Sequence, residues 1–145
     1  MSGSDAISVL AGFYDSYRSG NWTELAERTS PDAVWRQAAS LPWAGEWRGP
    51  DGFAAMMARI QECLTLSVTK NQSSAFGDDG VLVEVEATFT ARSSGRSLET
   101  KLIELYRVQD GLVQGAEAFY LDTHALVELL AENVEDSGTF TGTSL

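Results

Sequence analysis

At 145 residues, with ten basic against twenty-one acidic side chains, the chain carries a formal charge of −11. That sign argues against a nucleic-acid or anionic-membrane surface, each of which needs clustered Lys and Arg. Hydrophobic residues make up 43% of the chain, which is enough for a globular core and too much for a disordered one. A single His and a single Cys, His124 and Cys63, are too few for a zinc site and leave no partner for an internal disulfide. Chemistry therefore falls to carboxylates, amides, hydroxyls and aromatics, with no metal and no cofactor expected. The opening MSGSDA has no basic run and no long apolar run, and no window approaches a membrane span, so the expected location is the cytoplasm.

Ser4 or Asp5 can cap a first helix over about 5–19, which sets Ile7, Leu10, Phe13, Tyr14 and Tyr17 on one side before Gly20 stops it. Asn21-Trp-Thr-Glu24 has the spacing of a capping box, with Asn in the capping role, and opens a short helix over 22–28. DAVWRQA then reads as a strand and SLPWAGEWRGP as a loop. Pro50 suits a first helical position, and a third helix over 50–63 repeats Phe53, Met56, Met57, Ile60 and Leu64 at three- and four-residue steps.

From residue 65 the period becomes two. Strands at about 65–76, 81–92, 98–109 and 112–121 are separated by GDDG, SSGR and QDG, and form an antiparallel meander. Asp122 can cap a last helix over 123–132. The end, from 133 to 145, has neither periodicity nor apolar content and is expected as a flexible tail beyond a single domain ordered over about 5–132.

The hairpin VLVEVEATFTARSSGRSLETKLIELYRV poses the functional question. A turn centred on Gly95 sets Glu86 opposite Glu104, and like charges directly opposed on a sheet are destabilising. Either that face is solvated, as the alternation of an isolated hairpin favours, or the two carboxylates share a cavity where one stays protonated.

The pieces YDSYRSGNW, LPWAGEWRGPDGF, YRVQDGLV and AEAFYLDTHALVELL, in this order of elements, resemble the SnoaL-like branch of the nuclear transport factor 2-like superfamily over about residues 5–132. The resemblance implies an α+β cone, a curved antiparallel sheet wrapped around the N-terminal helices with a pocket inside. Matching to the epoxide hydrolases of that superfamily turns Glu84, Glu86, Thr88 and Thr90 toward the cavity, together with Thr100, Leu102, Glu104 and Tyr106. Val81, Val83, Val85, Ala87 and Phe89, with Ile103 and Leu105, then form an apolar convex face that implies a homodimer.

Site residues carry over unevenly. The hydrolase triad positions hold Glu86, Thr88 and Ala118, so that triad is absent. The isomerases' general base falls on Gln37, and their oxyanion-hole Tyr on Phe13, with Tyr14 one step round the helix. Their second oxyanion donor, a carboxylic acid kept neutral by an apolar site, falls near Glu104; ketosteroid isomerase is the standard worked case of such an acid. The cyclases' acid–base Asp falls nearest Asp122.

These carry-overs make Glu104, Glu86 and Asp122 the candidate catalytic groups. Tyr14, Tyr17, Trp35, Gln37, Trp43, Thr88, Leu102 and Tyr120 are the candidate lining. Bland readings stand beside them: Asp122 as a helix cap, His124 as a solvent-facing residue, the Tyr and Trp side chains as core, and Cys63 as an inert thiol. Two functions stay open. One is a cofactor-free cyclase or isomerase acting on a small apolar or aromatic, oxygen-bearing substrate; the other is a binding or dimerisation module of the same fold without chemistry.

Overall fold

The computed structural model describes residues 3–131. Four helices and six strands follow one another as α1 (Gly3–Arg18), α2 (Trp22–Glu27), β1 (Thr29–Gln37), β2 (Gly45–Arg48), α3 (Gly49–Cys63), β3 (Leu64–Phe76), β4 (Gly80–Ala91), β5 (Ser97–Gln109), β6 (Leu112–Tyr120) and α4 (Thr123–Ala131). The strands form one open sheet in the order β2-β1-β6-β5-β4-β3. The result is a single α+β domain of the anticipated class, with the meander β3 to β6 in place. The tail expected beyond residue 132 lies outside the described residues.

Local chemistry sets the helix ends. Asn21 Oδ1 accepts the Glu24 backbone N–H at 3.1 Å, the first half of the capping box, while the Asn21 amide also reaches the Glu24 carboxylate at 3.4 Å. Pro50 stands in the first turn of α3. Asp122 Oδ1 accepts from Ala125 N at 2.9 Å, so this carboxylate caps α4.

Two features of the sheet differ from the sequence reading. The Trp-rich loop contains a short strand, β2, which pairs antiparallel with β1 through Trp35 and Trp47 and through Arg36 and Glu46. Strand β1 runs parallel to β6, which makes the sheet mixed rather than wholly antiparallel. Gly115 permits that contact: it sits at φ 103° where the β1–β6 register shifts, and a Cβ there would overlap the Val34 backbone.

The register of the central hairpin is also corrected. Glu86 pairs with Lys101, and Glu104 pairs with Val83. Gly95, at φ 74°, occupies the last position of the loop rather than its centre, and Ala91 and Arg96 close the hairpin through Ala91 N–H to Arg96 O at 2.9 Å. The strands are thereby offset by three residues from the expected pairing. An odd offset turns one strand's side chains over relative to the other's, and β4 is the strand that turns.

Val81, Val83, Val85, Ala87 and Phe89 are therefore core residues, not a convex surface. Leu82, Glu84, Glu86, Thr88 and Thr90 take the outer face. On β5 the expected facing is the observed one, with Leu102 and Tyr106 buried and Ile103 and Leu105 on the outer side. The inner face closes over an aromatic cluster in which Phe13 of α1 stacks on Trp35 of β1 and meets Phe53 of α3 edge-on. Leu126 and Leu129 of α4 join the same core.

Candidate functional site

Glu104, Tyr106 and Leu102 project from the inner face of β5, and helix α1 brings Tyr14 down onto them. Tyr14 Oη donates to Glu104 Oε1 at 3.2 Å, and the Tyr14 and Tyr106 hydroxyls are 2.6 Å apart. Trp35 Nε1 donates to Tyr106 Oη at 3.3 Å. A phenol has one proton to give, and Tyr14 gives its own to Glu104, so Tyr106 is the donor to Tyr14 while it accepts from Trp35. Every proton in the series points toward the carboxyl group.

That arrangement tunes one acid. Burial pushes Glu104 from 4.5 up to about 7, and the hydrogen bond from Tyr14 opposes the rise without cancelling it. The phenols move further from ionisation. Burial first, and then the neighbouring Glu104 charge, hold Tyr14 and Tyr106 well above the usual phenol range. Tyr120 is raised chiefly by burial, against the Trp43 hydrogen bond. Near neutral pH the group in this cluster that changes charge is Glu104.

A second cluster lies beside the first. Trp43 Nε1 donates to Tyr120 Oη at 3.1 Å and to Gln37 Oε1 at 3.2 Å, and Tyr120 Oη donates to Gln37 Oε1 at 2.8 Å. Gln37 Nε2 faces the Met56 thioether at 3.6 Å. Trp47 Nε1 holds the Trp43 carbonyl at 3.1 Å, and so secures the loop from beneath.

Of the groups singled out in the sequence, Tyr14, Trp35, Gln37, Trp43, Leu102, Glu104 and Tyr120 meet on this inner face. Glu86 and Thr88 do not. They lie on the opposite side of the sheet, where Lys70 stands 3.9 Å from Glu86 and 3.4 Å from Glu84, and Lys101 is 3.7 Å from Glu84. The glutamate pair of the hairpin is thus two separate features, one part-buried acid on the inner face and one half-exposed ion-pair ladder. Such exposed pairs contribute roughly 0–1 kcal/mol each.

Asp122 is spent on the α4 cap. Tyr17 packs edge-on against Phe53 of the core and against Trp22, and its hydroxyl accepts from the exposed Gln61 at 3.0 Å, outside the Glu104 cluster. His124 is exposed and 3.3 Å from Glu128 on the same helix face. Cys63 is a half-buried free thiol. Tyr106, expected on the cavity-facing side of β5 but not among the candidate lining residues, joins Tyr14 and Glu104 in this cluster. Among the described residues there is no group of three or more His, Cys, Asp or Glu able to hold a metal ion, and no helix is long and apolar enough to cross a membrane.

An open mixed sheet whose concave side holds helices and a buried polar cluster defines the nuclear transport factor 2-like class of folds. The family model described as the SnoaL-like domain matches residues 10–115, and the chain belongs to that family. No curated protein matches it significantly.

Solved structures share the fold at low identity. A nuclear transport factor 2-like protein of Burkholderia xenovorans LB400 superposes with a TM-score of 0.78 at 21% identity, covering 93% of this chain and 99% of that one. A Xanthomonas campestris protein, provisionally assigned as a polyketide cyclase, gives 0.69 at 13% identity, with 88% and 98% covered. TerC, co-crystallised with polyporic acid, gives 0.67 at 18% identity, with 88% and 98% covered.

Proposed function

We propose that the protein is a cofactor-independent enzyme of the cyclase or isomerase type, in which Glu104 acts on a small, largely apolar, oxygen-bearing molecule. The observation that carries this reading is the Glu104 carboxyl, raised to about 7 by burial while held by Tyr14. As a neutral acid it donates a hydrogen bond or a proton to an oxygen on which negative charge develops; as a carboxylate it takes a proton back. A group titrating near the working pH serves both directions with little cost. Tyr14, kept un-ionised, gives its one proton to Glu104 and so holds the carboxyl group in position. Polyporic acid beside TerC and the provisional cyclase assignment of another fold neighbour support a small organic ligand.

Glu86 and Asp122 have no part in this chemistry, since one lies outside the sheet and the other caps a helix. That lack of a second inner carboxylate among the assigned groups favours, as the alternative, a site that binds a ligand without transforming it.

The test is affinity for pentafluorophenolate at about pH 6, where this acidic phenol is already ionised and Glu104 still holds its proton, as a mimic of a developing oxyanion. Glu104→Ala is expected to weaken binding by roughly ten- to a hundredfold, the range for a hydrogen bond to a charged group, and Glu104→Gln, which keeps a donor, by clearly less. Equal affinity in all three proteins refutes the role given to Glu104.

A homodimer and a cytoplasmic location complete the proposal. Supporting the dimer, the outer face carries apolar residues, with Leu82 beside Leu105 and Ile103 beside Phe119, and Phe119 is 55% exposed. Light scattering should find a dimer that Phe119→Asp converts to monomer; an unmodified protein already monomeric at high concentration refutes this part.

A further inference from the structure

The sheet sets its inner side chains in rows, one residue from each neighbouring strand. Trp35, Ala116 and Tyr106 form one row across β1, β6 and β5. All three are buried, and the Trp35 indole spans the small Ala116 to reach the Tyr106 hydroxyl. The next row holds Gln37, Ala118 and Glu104, because Arg36 pairs with Glu117 and Glu104 with Ala118. Its members behave differently. Gln37, Ala118 and Glu104 all retain accessible surface, while Trp43 above Gln37 and Leu102 beside Glu104 are buried. The two outer Cα positions of a three-strand row are roughly 10 Å apart, with the small Ala118 on the strand between them. A ligand laid along this row would meet Glu104 at one end and Gln37 at the other.

The chemistry of its far end is fixed by its neighbours. Trp43 Nε1–H cannot accept, so the Gln37 atom it meets must be the carbonyl oxygen, which also takes the Tyr120 proton. The amide cannot flip without setting its NH₂ group against an indole N–H. Its two N–H donors are therefore turned away from the hydrogen-bonded cluster, against the Met56 sulfur, a weak acceptor at 3.6 Å. A half-buried amide nitrogen with so poor a partner leaves donor capacity for something else.

We propose that Gln37 is a specificity-determining residue: its NH₂ group, fixed in orientation by the bonds of Trp43 and Tyr120 to its oxygen, selects ligands that carry a second oxygen acceptor across Ala118 from the oxygen held at Glu104. The inference rests on the function proposed for Glu104 and adds a requirement to it. A hydroxyl ligand placed at Gln37 must accept there, and a purely hydrocarbon end leaves the N–H groups without a partner. Trp43 and Tyr120 are positioning residues, acting on the ligand only through Gln37.

The test compares 4-hydroxyacetophenone with 4-ethylphenol, two phenols of similar size that differ in a carbonyl at the far end. Gln37→Glu keeps an oxygen for Trp43 and Tyr120 while replacing the donor by an acceptor. In the wild type the ketone should bind more tightly by an extra factor of roughly five, the worth of one neutral hydrogen bond, and in Gln37→Glu that extra factor should vanish. The ratio of the two affinities in each protein removes the difference in phenol acidity and any general effect of the new charge.

In the unmodified protein the Gln37 side-chain NH₂ resonances should also shift on adding the ketone and not on adding 4-ethylphenol, a readout independent of how well the variant folds. An unchanged affinity ratio with silent Gln37 resonances, while both probes still bind in a Glu104-dependent way, overturns the role of Gln37 and leaves that of Glu104 standing. Binding of both probes that ignores Glu104→Ala overturns both.

Discussion

Replacing Glu104 by Gln should flatten one specific part of the stability profile. In the folded chain the carboxyl is raised from 4.5 to about 7, so the native state holds this proton over a range where the unfolded state has released it. A raised carboxyl contributes stability that is fully present below about 4.5 and lost as pH rises through about 7. At about 1.4 kcal/mol for each pH unit between the two values, the full contribution is about 3 kcal/mol, most of it lost between about pH 5 and about pH 8. The amide of Glu104→Gln has nothing to titrate. Urea unfolding of both proteins at about pH 5 and about pH 8 is the assay, since the midpoints convert directly to free energy where the slopes agree. Titration of the many surface carboxylates moves both curves together and drops out of the difference. The gap between the two proteins should change by about 2–3 kcal/mol across the window, in the direction that penalises the wild type at the higher pH. A gap constant to within about 0.5 kcal/mol would show that the carboxyl ionises at an ordinary pH and would refute the buried-acid argument.

Two further expectations concern its neighbours. Tyr14→Phe removes the hydrogen bond that holds the Glu104 value down, so carbon NMR of the labelled carboxyl should show titration above about 7 in the variant, and a fall instead would contradict the assigned balance of burial and bonding. Asp122→Ala removes the Ala125 cap and should cost about 1 kcal/mol, with faster amide exchange in α4 and an unchanged Glu104 titration; a displaced titration would return Asp122 to the site.

The helices and the meander were readable because their signals are local. The three- and four-residue steps of Phe53, Met56 and Ile60, the Asn21 cap, and the alternation of β4 each depend on neighbours in sequence. Strand β2 was hidden in a Trp- and Gly-rich segment because its four residues gain order from pairing with β1, which no local pattern records.

The hairpin error had a physical source. A glycine at positive φ was placed at the centre of the turn, where two-residue turns need it, whereas a four-residue loop uses it at the end. The valines of β4 indicate the right face, since a run of alternating Val and Glu buries its Val side by default, and the match to the epoxide hydrolases points the opposite way. Glu104 and Tyr14 were legible from resemblance, but the direction of the Trp35–Tyr106–Tyr14 chain depends on hydrogen-bond geometry between a helix and two strands seventy residues and more apart in sequence.

The alanines of β6 have a consequence for how such a protein can change over evolutionary time. Ala116 and Ala118 lie on a strand paired on both sides, by β1 and by β5, so a larger side chain there has no backbone freedom with which to retreat. Growth at Ala118 to Val or Leu would subtract its volume directly from the space between Gln37 and Glu104, whereas a change on a helix would be shared out among shifting neighbours. The acid, its phenol partners and the amide would keep their positions. One residue in the floor of the sheet could thus retune the size of molecule accepted while the proton chemistry is inherited intact, and a lineage of such proteins could diversify its ligands by substitutions that leave every polar group untouched.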